Sequence, residues 1–94
     1  MLTLLISLLG CASSREDDIL ALTGDTTNGG TVFAANCASC HGTDATGGSG
    51  PSIAGVAADE AVSIVLAGEE DMPAFDGEIT DQEIADVLAY IESL

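Results

Sequence analysis

Positively charged side chains are nearly absent from this sequence. Arg15 is the single base among 94 residues, no lysine is present, and 16 acidic residues leave a formal net charge of −15. Nucleic-acid binding needs a cationic surface, so this balance argues against that class of function. A basic partner protein would be steered toward so acidic a surface, and salt would weaken the steering. The alternative is that the acids only keep the surface soluble.

Large aromatic side chains are also scarce. The sequence has no tryptophan, and its aromatic residues are Phe33, Phe75 and Tyr90. A chain of 94 residues has room for one small domain, and a domain of this size has limited apolar core of its own. Such domains usually need a covalent staple or a cofactor. The composition therefore indicates that a non-protein group completes the interior.

A hydrophobic run long enough to cross a bilayer is missing. Residues Leu2–Leu9 are mostly apolar, but a spanning helix takes about 20 residues, and this length suits a signal peptide. Leu8-Leu9-Gly10-Cys11 follows and resembles the bacterial lipoprotein box, although the basic start usual in a signal peptide is absent. We therefore expect a signal peptide over 1–10, with Cys11 lipidated. An ordinary signal peptide cut nearby, leaving a free thiol, is the alternative.

The same segment defines the expected domain organisation. Residues 11–26 are interpreted as the lipidated cysteine and a flexible tether, and residues 27–94 as the folded domain. The apolar stretch over 19–22 within the tether leaves open whether it docks on the domain. The expected location is exported, at the periplasmic or cell-envelope face, held to a membrane only by lipid.

The motif that carries the chemistry is Cys37-Ala38-Ser39-Cys40-His41. This C-x-x-C-H spacing is typical of haem attachment, because two thiols on one side of a helical turn can add to the two vinyl groups of one haem edge. His41 then lies under the iron as an axial ligand. A thioredoxin-like pair would need a strand before the motif, and a zinc site needs four ligands. A plain disulfide is the third alternative.

Elimination finds the candidate for the second axial ligand. The chain after the signal peptide has no other histidine and no lysine, and its only methionine is Met72. Pro73 keeps Met72 out of a helix, so the thioether can project from a loop. A His/Met pair raises the potential of the iron relative to two nitrogen ligands. The alternative is that Met72 only fills space and the iron is five-coordinate.

These residues together resemble a class I monohaem cytochrome c, in its small bacterial form. Gly29 and Phe33 match the glycine and aromatic that precede the motif in that family, and Tyr90 matches the aromatic partner on the last helix. The resemblance implies that Gly29 lets the first and last helices cross closely. It also implies that the Pro51 carbonyl accepts the Nδ1–H of the axial histidine and that Ile53 contacts the haem. Otherwise Pro51 only stiffens the loop.

The expected fold is all-α: a compact cytochrome c fold with three or four helices wrapped around one covalent haem. The sequence predicts helices over about 27–38 and 60–67, the second with Asp59 as N-cap and Gly68 as C-cap. Thr80 and Glu83 form a capping box before the last helix. An apolar stripe on that helix predicts its buried face, with Asp86 and Glu92 on the other face. The stripe consists of Ile84, Val87, Leu88 and Ile91.

The expected function is single-electron transfer in a bacterial extracytoplasmic chain, without substrate turnover of its own. One haem c, covalently bound through Cys37 and Cys40, would carry the electron. The expected partners are redox proteins with a basic docking surface. The protein itself is expected to be a monomer. The alternatives are a haem-bearing subunit of a larger oxidoreductase and a haem-free thiol–disulfide oxidoreductase.

Overall fold

A computed structural model describes residues 14–69 and 72–94, and side chains from residue 15 onward. The expected signal peptide and the lipidation site Cys11 lie outside these residues. Five helices occur in the described part of the chain: α1 Ser14–Ala21, α2 Thr26–Asn36, α3 Ala38–His41, α4 Ala58–Ala67 and α5 Asp81–Ser93. Its only β-pairing is two isolated bridges, Glu69 with Met72 and Asp76 with Ile79. The all-α prediction is confirmed, and α1 and the single-turn α3 exceed the expected number of helices.

The frame of the fold is the crossing of α2 over α5, the most extensive contact between helices. Gly29 is buried at this crossing, where a Cβ atom would lie 2.0 Å from the backbone oxygen of Asp86. One turn farther along α2, the rings of Phe33 and Tyr90 meet with centroids 5.5 Å apart. Both features agree with the family resemblance. The close crossing therefore requires a glycine at position 29, since any side chain there would meet the α5 backbone.

Two buried clusters divide the core along α5. The predicted stripe is confirmed, because Ile84 and Leu88 enter the first cluster while Val87 and Ile91 enter the second. The first cluster joins α5 to α1 and α4, and the second joins it to α2. The members of the first cluster are Ile19, Val62, Val65, Phe75, Ile84, Ala85 and Leu88; those of the second are Val32, Phe33, Ala45, Val87 and Ile91.

The helix ends confirm some of the predicted caps and correct others. Thr80 and Glu83 form the predicted capping box, with backbone-to-side-chain distances of 2.8 and 3.1 Å. Gly68 ends α4 with a φ of 76°, as its lack of a side chain allows. Asp59 is not the N-cap of α4, which starts after Ala57. Asp59 instead lies in the first turn, where its charge favours the positive end of the helix.

Asp86 is the largest departure from the predicted pattern on α5. The sequence placed it on the solvent face, but it is 3% exposed. Its carboxylate accepts hydrogen bonds from the Asp25 backbone N–H at 2.8 Å, from the Asn28 amide at 2.7 Å and from the Gln82 amide at 2.8 Å. Burial alone raises the pKa of Asp86, but the three donors together hold it below the ordinary value. Asp86 therefore fastens the start of α2 to α5 as an anion.

The Asp86 network predicts a pH-dependent contribution to stability. Because the folded-state pKa lies below the unfolded value, this contribution is present above the unfolded pKa and is lost as pH falls through the folded one. We expect Asp86→Asn to cost about 1–3 kcal/mol in unfolding free energy at neutral pH. The deficit should shrink below about pH 4, where aspartate is protonated in the unfolded chain. Urea unfolding at neutral pH and below about pH 4 measures this deficit in unfolding free energy.

The matched control for this prediction is Glu92→Gln. Glu92 lies on the same helix and is exposed, so the substitution removes one charge without touching the network. We expect a change within about 0.5 kcal/mol at either pH. A deficit in Asp86→Asn that is equally large at low pH would assign its cost to packing rather than to the charge.

The described part of the N-terminal segment, from Ser14 onward, is folded against the domain, whereas the sequence suggested a flexible tether over 11–26. Ser14–Ala21 is a helix that packs against α4 and α5, because Ile19 is 1% exposed in the first cluster. Arg15 reaches Asp76 and Asp81, with an N–O distance of 2.9 Å to each carboxylate. The apolar stretch over 19–22 thus docks at Ile19, while Leu20 and Leu22 stay exposed. Among the described residues, no helix has the length and apolar character needed to cross a membrane.

Candidate functional site

The short helix α3 positions the cysteines and the histidine. Cys37 directly follows α2, and its carbonyl accepts the backbone N–H groups of Cys40 at 3.2 Å and His41 at 3.0 Å. This single turn places both thiols and the imidazole at the edge of one cavity. The two cysteines are not joined in a disulfide. The turn therefore presents two free thiols beside a histidine, as haem attachment requires.

His41 is held in a defined orientation and tautomer. Its side chain is buried, and Nδ1 lies 2.8 Å from the Pro51 carbonyl oxygen. A carbonyl only accepts hydrogen bonds, so Nδ1 carries the proton and a neutral ring keeps its lone pair on Nε2. The Gly50 backbone N–H donates to the Cys40 carbonyl at 2.7 Å, which ties the loop of Pro51 to α3. The hydrogen bond that the resemblance implied for Pro51 is present.

Met72 is held by its backbone pairing with Glu69. Its backbone pairs with that of Glu69 through two hydrogen bonds, of 2.8 and 3.1 Å. The side chain is half-buried, and Pro73 follows it outside any helix. His41 and Met72 both line the cavity next to α3. The thioether and the imidazole thus face the same cavity.

Two adjoining cavities occupy the middle of the described structure. The larger measures about 400 Å³ and the smaller about 200 Å³, and Met72, His41 and Cys37 line both. Ile53 lines the larger one, and Pro51 lines both. The larger cavity is walled mostly by apolar side chains of α4, α5 and the loops. These include Val56, Ala61, Ile64, Val65, Phe75, Ile79, Val87 and Ile91.

This set of groups fits a haem. Two free thiols lie at one edge, an oriented imidazole and a thioether lie on the walls, and the remaining surface is largely apolar. All of the sequence-predicted site residues in the described part of the chain line one or both cavities, whereas Cys11 lies outside it. These residues are Cys37, Cys40, His41, Pro51, Ile53 and Met72.

The cavity walls also contain residues that sequence reasoning left without a role. Phe75 is 8% exposed and lines both cavities, although the sequence analysis named it only as one of the few aromatic residues. Val56 and Ile79 line the larger cavity from other loops. The one available signal was composition, because a large apolar residue in a polar loop of a small domain tends to be buried.

The thiol chemistry separates this site from a thiol–disulfide enzyme. Burial, together with the nearby charge of Cys40, raises the pKa of Cys37 to about 11. A catalytic thiol of that class needs a lowered pKa, since the thiolate is the nucleophile. A zinc centre also lacks support, because the described residues contain no group of three or more His, Cys, Asp or Glu side chains that could hold a metal ion.

The chain is similar to known proteins. A family model described as cytochrome c oxidase, cbb3-type, subunit III matches residues 24–91. The chain belongs to the cytochrome c family. As a cytochrome of this family it binds haem c covalently, and it is an electron carrier rather than an enzyme.

Its relatives include proteins described as cytochrome c6 and as cytochrome c-553-like. The cytochrome is 42% identical over 81 residues to a cytochrome c-553-like protein of Synechocystis sp., covering 81% of this chain and 75% of the relative. It is 37% identical over 84 residues to cytochrome c6 of Thermosynechococcus vestitus, covering 76% and 71%. The solved structure of cytochrome c6 from the diatom Phaeodactylum tricornutum aligns with a TM-score of 0.62 at 33% identity, covering 74% of this chain and 93% of that one.

Proposed function

We propose that this cytochrome carries single electrons in a bacterial extracytoplasmic chain, on one haem held by Cys37 and Cys40 and ligated by His41 and Met72. The observation that carries the proposal is that the imidazole and the thioether line the same mostly apolar cavity, beside two free thiols. Both are established types of haem ligand in electron-transfer cytochromes.

The residues of the chain define what the site does. Haem supplies a reversible one-electron change when bound. The Pro51 carbonyl fixes the His41 ring through Nδ1 and makes Nε2 a better donor. If Met72 held the iron opposite the imidazole, the chain's own residues would leave no position for bond chemistry, which would favour electron transfer. The apolar walls favour the less charged ferrous form, and the polypeptide needs little rearrangement between the two states.

The edge of the site near the thiols is the proposed route for the electron. Cys40 is exposed and Cys37 is half-buried, so this end of the cavity lies close to solvent. We propose that the partner presents a basic surface, because the net charge of −15 attracts it.

Met72→Ala tests the ligand assignment. We expect the oxidised wild-type protein to show the weak far-red absorption band of a methionine–iron bond, and the variant to lack it while keeping its covalent haem. The midpoint potential should fall, because the thioether stabilises ferrous iron relative to nitrogen or water ligands. Visible spectroscopy and redox titration measure both. A variant whose far-red band and potential equal those of the wild type would disprove ligation by Met72.

Electrostatic steering predicts a salt dependence of the electron-transfer rate. We expect the second-order rate constant with a basic redox protein to fall steeply as ionic strength rises, because added ions screen the acidic surface. Stopped-flow kinetics from low to physiological salt measures this. An uncharged small-molecule oxidant is the control, and its rate should stay nearly constant. Equal slopes for the two reagents would refute steering.

We also propose that the protein is exported, with residues 1–10 removed as a signal peptide and Cys11 lipidated to hold the domain at the periplasmic or cell-envelope face. The sequence Leu8-Leu9-Gly10-Cys11 supports this assignment. Residues 27–94 are the proposed cytochrome domain, with the described part of 11–26 docked on it. The mass of the mature protein tests the proposal, since an unmodified Cys11 would contradict lipidation.

The second candidate is a haem-bearing subunit of a larger oxidoreductase. The description of the matching family model, subunit III of a cbb3-type oxidase, is the observation that favours it. Purification from native membranes separates the candidates. A stable complex with other haem proteins would support the assignment as a subunit. A monomer that exchanges electrons with separate partner proteins would support the assignment as a carrier.

A further inference from the structure

Helix α1 precedes residues 24–91, which the family model matches. It packs on α4 and α5, and its side chains also engage the segment that follows the methionine. We call residues 72–79 the methionine segment. Two contacts of different physical kinds join α1 to this segment, one apolar and one ionic.

The apolar connection is a buried cluster that contains both Ile19 and Phe75. Ile19 is 1% exposed and belongs to the same buried cluster as Phe75, with Met72 packed at the margin of that cluster. Phe75 also lines the haem cavity, and its backbone N–H donates to the Val65 carbonyl at 2.9 Å. Ile19 thus packs into this cluster from α1, and Phe75 of the same cluster forms part of the cavity wall.

The ionic contact is made by Arg15. One guanidinium nitrogen lies 2.9 Å from an oxygen of Asp76 and 2.9 Å from an oxygen of Asp81. Asp76 follows Phe75 in the methionine segment, and Asp81 opens α5. Arg15 therefore links the segment to the rigid end of a core helix. Without it two neighbouring carboxylates would repel each other in a chain that has no other base.

We propose that α1 is a clamp on the methionine segment, and that Arg15 and Ile19 are positioning residues for the sixth iron ligand. The inference rests on the proposed ligation by Met72. Release of the thioether requires the segment to move away from the cavity, which is a local opening with its own free energy. Each clamp contact opposes that opening. Loss of a contact therefore raises the rate of methionine release without changing the ligand itself.

The test is the rate at which imidazole displaces the methionine in the full-length ferric holoprotein, followed by loss of the far-red band. At saturating imidazole the rate reports the opening of the segment. We expect about a tenfold increase in Ile19→Ala, since it removes buried volume. Arg15→Gln should give about a twofold to threefold increase at low salt, as for an exposed ion pair. That second increase should vanish at high ionic strength, where the pair is screened.

Val32→Ala is the matched control. Val32 is 6% exposed in the second cluster and lines neither cavity, so its truncation loosens the core without touching the clamp. We expect a lower unfolding midpoint and an imidazole rate within about twofold of wild type. If Val32→Ala accelerates imidazole binding as much as Ile19→Ala does, general destabilisation explains the effect and the clamp is refuted. Ile19→Val, a smaller truncation, replaces Ile19→Ala if that variant does not fold.

The failure of the clamp and the failure of the proposed ligation give different results. A wild-type protein without a far-red band, which binds imidazole without a limiting rate, would refute ligation by Met72 and with it the clamp. A wild-type protein with the band, whose rate is unchanged in the Arg15 and Ile19 variants, would refute the clamp alone.

Discussion

We expect the chain to lose its helical fold when it is isolated without haem. The cavity that the site residues line measures about 400 Å³. Without haem its mostly apolar walls would face water or a void, so the chain would lose the apolar burial that the cofactor completes. Domains of this size are stable by about 5–15 kcal/mol in total. The haem-free chain therefore has little or no net stability in this conformation.

The double variant Cys37→Ser/Cys40→Ser, purified free of haem, tests this expectation. Far-ultraviolet circular dichroism should show most of the helical signal lost, and hydrogen exchange should show little protection in α2 and α5. Met72→Ala is the matched control, because it alters the site but keeps both thiols and the covalent haem. A haem-free chain that unfolds cooperatively, with the helix content of the holoprotein, would show that the protein core suffices.

Gly29→Ala is expected to destabilise the fold strongly. The new Cβ atom would lie 2.0 Å from the Asp86 backbone oxygen and 2.8 Å from the Tyr90 Cβ. Backbone atoms cannot rotate away, so α2 and α5 must separate and the Asp86 network must stretch. We expect a loss of about 3 kcal/mol or more in unfolding free energy, as for other overpacked core sites. Urea unfolding of the holoprotein measures it.

The neighbouring glycine provides the control. At Gly30 a Cβ atom would meet the edge of the Tyr90 ring at 3.2 Å, and a side chain can shift by the few tenths of an ångström needed. Alanine also gains about 1 kcal/mol over glycine in a helix interior. We therefore expect Gly30→Ala to stay within about 1 kcal/mol of wild type. Equal losses in the two variants would mean that helix geometry, and not the crossing at Gly29, is responsible.

Local patterns predicted the elements that depend on neighbouring residues. The attachment motif, the Thr80–Glu83 capping box and the stripe on α5 all depend on residues a few positions apart, which the sequence displays directly. The place of Met72 followed from elimination in a chain with few candidate ligands. For the motif, the capping box and the stripe the physical cause lies within one or two turns of the chain, whereas the proposal of Met72 as a ligand rests on the composition of the whole chain.

The features that the sequence did not predict depend on distant partners. Asp86 is buried because Asp25 and Asn28, about sixty positions earlier, supply donors to it. The docking of α1 likewise depends on Ile19 finding a place in a cluster built by α4 and α5. The 3.6-residue period of a helix shows which residues share a face. It does not show which polar side chain at the edge of the buried face will find hydrogen-bond donors in a distant part of the chain.

The docking of α1 changes how an anchored carrier would search for its partners. Since α1 begins at Ser14, a lipid on Cys11 would leave at most about 10 Å of chain between the bilayer and the folded body. The domain could then not reach distant partners while its anchor stayed in one place. Its encounters would depend on lateral diffusion of the whole molecule in the plane of the membrane, with the face around Arg15 turned toward the lipid.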